Sequence, residues 1–321
     1  MKWSIPPLLV AGAVMALCCA SSSTEPLAVR PAYRPPSTIR VRALDRATEV
    51  TRDVPLEDYV EATVLSEFAP AAGDEAIVES MLEVQAVISR TYALAHVGRH
   101  SREGFDLCST THCQLYEPGR LRTSRWAAAA AEAVRHTSGQ ILWYDGAPAD
   151  ALFHADCGGR TSTAADVWGG PNPPYLRELD DDGPASGAHV SWRYEAPAET
   201  VRQALNADPR TRVGRRLRGL DVVMRDPSGR AKEIAIEGDL ERIVRTEDFR
   251  EVLARAFGPR AVRSNRLDIS INASRVVFSG KGFGHGVGLC QAGAFARLSK
   301  GAKPKEVLSY YFPGVRISRL D

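Results

Sequence analysis

The sequence predicts an α+β fold in which antiparallel sheet segments pack with helices. Two adjoining stretches carry apolar residues at helical spacing: Leu56, Tyr59, Val60 and Val64, then Ile77, Met81, Val84, Val87 and Ile88. That period marks two amphipathic helices packed back to back. Ile39 to Leu44 alternates apolar and charged residues, the period of a strand. Gln140 to Tyr144 and Pro148 to His154 flank Asp145-Gly146, which reads as a β-hairpin with a tight turn.

The chain has 321 residues, a net charge of +2 and 25% charged residues. That length suits one large or two modest globular domains. The near balance of charge argues against nucleic acid as a partner, because phosphate binding concentrates Lys and Arg. Residues 1–20 read as a signal peptide, with Lys2 as its basic end, Ile5 to Leu17 as its apolar core and Cys18-Cys19-Ala20 as the cleavage region. The apolar run is too short to span a membrane. The expected product is an exported protein, periplasmic or associated with the cell envelope. A lipid anchor on Cys18 or Cys19 is the second reading, and only it would tie the chain to a membrane. Residues 21–38, rich in Ser and Pro, read as a tether, and the core domain is expected over 39–316.

The first helix is expected to end at Ser66-Glu67-Phe68, just before Ala69-Pro70. A carboxylate in the last turn faces the negative end of the helix dipole. Beside Leu65 and Phe68, Glu67 would also lose part of its hydration. Both effects raise a carboxyl pKa and favour the protonated form that a general acid needs. Taken alone, the residue reads first as a solvated Glu at a frayed helix end, since most helical Glu are solvated.

Further along, Cys108, His112 and Cys113 form a local cluster that could converge on a tetrahedral metal, with His100, His154 and Cys157 as outer candidates. An exported chain would equally permit disulfides among Cys108, Cys113, Cys157 and Cys290. Residues 125–137 read as a helix by propensity. The hairpin after it delivers His154-Ala155-Asp156-Cys157-Gly158-Gly159. His154 on its own reads as a core histidine, and the Gly158-Gly159 pair implies a close backbone approach. Trp168 offers either a face for a sugar ring or a core side chain. The run Asp180 to Gly183 lacks the spacing of a calcium loop and reads as a solvated turn. Residues 192–272 hold helices near 199–205 and 248–257, and a strand pair at Val222–Met224 and Ile234–Ile236. This segment is a candidate smaller lobe.

Near the C-terminus, a strand from Val276 runs into Gly282-Phe283-Gly284-His285-Gly286-Val287-Gly288 and then a helix, Gln291 to Leu298. The stretch matches neither nucleotide-loop pattern, and no βαβ context surrounds it. Its glycines would let His285 and backbone amides approach a ligand closely.

These segments together resemble the SpoIID family of peptidoglycan-active proteins. The resemblance rests on Leu56-Glu57-Asp58-Tyr59-Val60, on Glu67, and on Gln85-Ala86-Val87-Ile88-Ser89-Arg90-Thr91-Tyr92-Ala93. It continues in the histidine–cysteine–glycine segment at 154–159, in Gly282 to Ala294 with Cys290 where Ser is common, and in Pro304 to Gly314. It covers about Ile39 to Val315. Two departures are a long connection over Ala69–Asp74 and Glu83 where sporulation members often have Lys.

The resemblance implies a central cleft, Glu67 as the catalytic acid and base, and Arg90 orienting either Glu67 or substrate. It implies that His154, Gly158, Gly159, His285 and Gln291 line the saccharide cleft. It also favours one structural Zn²⁺ at Cys108, Cys113, His112 and His100. The implied activity is that of a lytic transglycosylase on glycan strands stripped of stem peptides. In that chemistry one carboxyl group serves twice and the MurNAc 6-hydroxyl replaces water, so no second acid is needed. Two alternatives are a non-enzymatic enhancer that binds glycan and activates an amidase, and a zinc hydrolase.

Overall fold

The structure is a computed structural model that describes residues 33–45, 48–70, 73–181, 191–272 and 274–320. The expected signal peptide, most of the tether, and the Asp182-Gly183 end of the acidic run lie outside the described residues.

Strands β1 (Thr38–Asp45) and β2 (Thr48–Pro55) form an antiparallel hairpin. Only β1 was legible: β2 exposes nearly every side chain and buries just Val54, so it carries no alternating apolar signal. The chain then enters α1 (Leu56–Glu67) and α2 (Glu75–Ala95). Asp74 caps α2 by accepting the Ile77 N–H at 3.3 Å. From Val78 on, α2 buries almost its whole circumference. Met81, Val84 and Ile88 enter one apolar core, and Val78, Leu82, Ala86 and Ala93 enter another. A helix that is apolar all round must be covered on every side. Helix α2 is therefore the spine between two cores.

The second of these cores is closed by β3 (Leu107–Cys108), parallel to β1, and by α3 (Arg120–Thr123) and α4 (Ala127–His136). The first is closed by β4 (Gln140–Tyr144), β5 (Ala147–Pro148), β6 (Phe153–His154) and α5 (Ala164–Trp168). Asp145 and Gly146 both adopt positive φ, 45° and 80°, as a two-residue hairpin turn requires. Only Ala147 and Pro148 return along β4. Residues beyond Pro148 leave that sheet, so the expected long second strand ends early.

A third core holds Trp192, Val201, Leu205, Leu220, Ile234, Ile236, Phe249, Val252, Val276 and Phe278. Its elements are β7 (Trp192–Pro197), α6 (Ala198–Asn206), β8 (Leu217–Arg225), β9 (Ala231–Gly238), β10 (Arg242–Arg245), α7 (Thr246–Phe257), β11 (Leu267–Ile271) and β12 (Arg275–Gly280). The expected strand pair is present, with Val222 opposite Ile234. From Tyr33 onward the chain forms one compact unit. Arg230 joins this third core to the segment after β6, donating to the carbonyls of Cys157 (2.5 Å) and Arg160 (2.7 Å).

The chain closes with β13 (Leu289–Cys290), α8 (Gln291–Ser299), α9 (Pro304–Tyr311) and β14 (Arg316–Arg319). Strand β13 runs parallel to β6, setting His154 opposite Cys290, and β14 completes the sheet of β4 and β5. Among the described residues, no helix is long and apolar enough to cross a membrane.

Candidate functional site

Glu67 is the last residue of α1, and no basic residue stands in that turn. Its Oε1 accepts the Leu115 N–H at 2.6 Å. Burial pushes its carboxyl up to about 7; the Leu115 N–H, which favours the anion, opposes the rise, and the nearby Glu117 adds to it. Glu67 therefore holds its proton at moderately acid pH and can release it near neutrality. Two further contacts fix the helix end. The Glu117 N–H donates to Ser66 Oγ at 2.8 Å. Gln291 Nε2 donates to the Glu67 carbonyl at 3.3 Å and to Gln85 Oε1 at 3.1 Å. Gln291 thus reaches the main chain of the candidate acid from the first residue of α8. Gln85, Gln114 and Leu115 had no expected role. Their part is set by the loop that returns over α1, a contact that no local pattern announces.

Arg90 is placed differently from the expectation. Its side chain is completely buried and donates to Glu57 Oε1 (2.8 Å) and Oε2 (2.6 Å) and to the carbonyls of Gln140 (3.1 Å) and Val134 (3.4 Å). A bidentate carboxylate partner and two carbonyls engage the guanidinium fork. Arg90 therefore clamps α1, α4 and β4 together, and its hydrogen bonds among the described residues go to these elements rather than to Glu67.

His154 and His285 meet edge to face, ring centroids 5.4 Å apart, and His285 also packs on Trp168 at 5.0 Å. Trp168 is 37% exposed, so this aromatic face is open on one side. His285 accepts the Val287 N–H at Nδ1 (3.0 Å), and burial, aided by Arg250, pushes it down to about 3. His154 is only 4% exposed and lies behind His285 as a neutral imidazole, held well below its ordinary range by burial. The expectation that it lines the cleft surface is corrected accordingly.

The glycines are corrected too. A Cβ on Gly158 would meet Lys281 main chain at 3.1 Å, and one on Gly286 would meet the Arg230 guanidinium at 2.3 Å. Both have positive φ, 69° and 85°. The groups that come close to these glycines belong to the protein. At Gly159 a Cβ would stand in ordinary contact with the Arg266 guanidinium, at 3.6 Å. A groove of about 660 Å³ lined by Glu83, Val87, His136, Lys303, Lys305 and Arg319 includes none of the predicted site residues.

The outer cluster does converge. His100, Cys108, His112 and Cys113 place one donor atom each within 4.8 Å of all the others. Cys113 Sγ lies 3.5 Å from His100 Nε2 and 3.7 Å from His112 Nδ1, and Cys108 Sγ lies 3.8 Å from His112 Nδ1. A tetrahedral zinc ion with ordinary Zn–S and Zn–N bonds sets a sulfur–nitrogen edge of about 3.6 Å. His100 Nδ1 contacts Glu103 Oε1 at 2.7 Å, which orients the ring and leaves Nε2 as donor. The donor set fits Zn²⁺. The four described cysteines are free, so the alternative of disulfides among them is not realised in this structure. His154 and Cys157, the alternative ligands, lie in a separate cluster with Cys290.

Fold and site together define an α+β protein with a carboxyl, Glu67, pushed up to about 7 at a helix end and a Cys₂His₂ cluster on the loop that reaches it. A family profile described as "Stage II sporulation protein" (SpoIID) matches residues 45–144, and one for a domain of unknown function (DUF8618) matches residues 184–288. An uncharacterized protein of Brachyspira hyodysenteriae is 31% identical over 84% of this chain and 68% of its own length. The stage II sporulation protein D of Bacillus amyloliquefaciens is 26% identical over 89% of this chain and 80% of its own. A protein of Bacillus subtilis named "Amidase enhancer" is 23% identical over 74% of this chain but only 38% of its own length. The chain belongs to the SpoIID family.

Proposed function

We propose that this protein is a peptidoglycan lytic transglycosylase that cleaves between MurNAc and GlcNAc, with Glu67 as both acid and base. SpoIID membership supports a role at peptidoglycan. The observation that carries the finer reading is the Glu67 carboxyl, pushed up to about 7 at the end of α1. Protonated Glu67 gives its proton to the GlcNAc O4 as the bond from MurNAc C1 breaks. The resulting carboxylate takes the proton from the MurNAc 6-hydroxyl as O6 closes on C1. The bond C1–O4 is exchanged for C1–O6, the proton is returned, and no water is consumed. One acid suffices because the 6-hydroxyl is held at high effective concentration.

Within this reading, the Leu115 N–H holds the carboxylate form in place between the two transfers. Gln291 fixes the main chain beneath it. The face of Trp168 and His285 suits the apolar side of a sugar ring. Residues His100, Cys108, His112 and Cys113 would hold Zn²⁺, which supplies a cross-link that stiffens the loop carrying Leu115. Four protein donors leave no open position for water, which disfavours the zinc-hydrolase alternative.

Incubating the purified protein and Glu67→Gln with denuded glycan strands tests the proposal. Wild type is expected to release soluble fragments, and the variant to lose that activity by at least about 10²-fold while keeping its fold. A second reading, a glycan-binding enhancer, draws on the relative of that name. It predicts no fragments from either protein and faster turnover by an added purified amidase.

A further inference from the structure

A second group of metal-type donors lies inside the protein, apart from the outer cluster. His154, Cys157 and Cys290 are all buried, and one donor atom of each lies within 4.8 Å of the other two. The three come together because β6 and β13 run parallel, with His154 opposite Cys290, and Cys157 N–H reaches Cys290 Sγ at 3.2 Å.

Main-chain amides face both sulfurs. Cys290 Sγ accepts two main-chain N–H groups, from Cys157 and from Gly293 at 3.3 Å in the first turn of α8. Cys157 Sγ accepts the Gly159 N–H at 3.3 Å. Amide donors aimed at sulfur stabilise negative charge there, and the N-terminus of α8 adds its dipole. The buried guanidinium of Arg230, on the Cys157 carbonyl, acts in the same direction.

The imidazole supplies an independent observation. His154 Nδ1 lies 3.1 Å from the Val287 carbonyl, so Nδ1 carries the proton and donates it. Nε2 is then a lone pair, buried and without any hydrogen-bond partner. A backbone carbonyl that fixes the tautomer, with the other nitrogen left as a donor, is the arrangement of a ligating histidine. An unpartnered buried acceptor costs stability that nothing else in the site offsets.

We propose that His154, Cys157 and Cys290 bind a thiophilic d¹⁰ cation, with Zn²⁺ as its representative. Binding would replace two thiol protons, released to solvent, by the ion, while His154 stays neutral. Two thiolates and a divalent ion leave no net charge in the apolar interior. Three protein donors leave a fourth position for a further donor; the Cys157 thiol, which donates to Asp181 Oδ2 at 3.5 Å, would give up that contact on binding. The ion would pin the start of α8, hence Gln291, to the segment after β6.

Elemental analysis of the full chain purified with zinc present tests this, independently of any activity. Wild type should hold about two zinc ions per chain, Cys290→Ser about one, Cys113→Ser about one, and the double variant none. Serine keeps an oxygen able to cap α8, so Cys290→Ser retains the fold. Wild-type thiol alkylation gives a second check that needs no variant: Cys157 and Cys290 should become reactive only when a chelator removes the second equivalent. A zinc content that Cys290→Ser leaves unchanged overturns the proposal. So does alkylation of both thiols without chelator, or an intact mass lower by two hydrogens with a Cys157–Cys290 cross-linked peptide.

Discussion

The Leu115 main-chain N–H donates to Glu67 Oε1 at 2.6 Å, linking the loop that carries the Cys₂His₂ cluster to the carboxyl at the end of α1. Leu115 is two residues beyond Cys113. The same loop sends Glu117 N–H to Ser66 Oγ, and its Gln114 Oε1 accepts the hydroxyl of Tyr59. The protonation and aim of Glu67 therefore depend on the order of this loop.

That dependence predicts the effect of opening the cluster. Cys113→Ser, or chelation, should lower the melting temperature and loosen the Leu115 contact. Losing a donor that favours the anion raises the Glu67 pKa further. The alkaline limb of the pH–rate profile should move to higher pH while the maximal rate falls. A lower rate with an unmoved limb would separate the cluster from Glu67.

Glu67 should also tie stability to pH. Its folded pKa of about 7 lies above the ordinary 4.5, so the folded chain binds the proton more tightly. Below pH 4.5 both states are protonated and there is no penalty. Between 4.5 and 7 the unfolded chain ionises first and stability falls, by up to about 3 kcal/mol above pH 7. Glu67→Gln removes this titration. Its melting temperature should match wild type near pH 4 and exceed it near pH 8, whereas a pH-independent difference would contradict the raised pKa.

Arg90 predicts a loss of stability rather than of chemistry. Glu57→Gln leaves the guanidinium buried without its counter-charge and should cost about 3 kcal/mol in urea unfolding. Activity per folded molecule should stay within about twofold of wild type. A selective loss of kcat with unchanged stability would return Arg90 to the substrate.

Gln291→Ala should act oppositely. It removes the donor to the Glu67 carbonyl and to Gln85. The expected result is a kcat lower by about tenfold with KM little changed, because the helix end is released while the aromatic face is intact. A change confined to KM would make Gln291 a saccharide contact instead.

Much of this site was legible in the sequence because burial repeats at the helical period. The spacing along α1 and α2 located Glu67 at a helix end, and Ala69-Pro70 located the stop. The outer cluster was legible because Cys108, His112 and Cys113 are adjacent. Contacts between distant segments were not. Glu57 and Arg90 are separated by 33 residues, and Cys157 and Cys290 by 133. Nothing local distinguishes a guanidinium that clamps helices from one that grips a sugar. The glycines misled for a related reason. A missing Cβ announces that something comes close, but not whether a ligand or the chain itself does. Strand β2 was missed because an exposed edge hairpin buries too little to leave a pattern.

The central claim is that Glu67 passes a proton out and back while a sugar hydroxyl, not water, closes on the broken centre. Digesting denuded glycan strands in heavy-oxygen water and weighing the new MurNAc ends by mass spectrometry tests it most directly. The account predicts anhydro ends that carry no solvent oxygen, and none of them with Glu67→Gln. Ends bearing the heavy isotope would mean hydrolysis and would contradict the one-carboxyl mechanism.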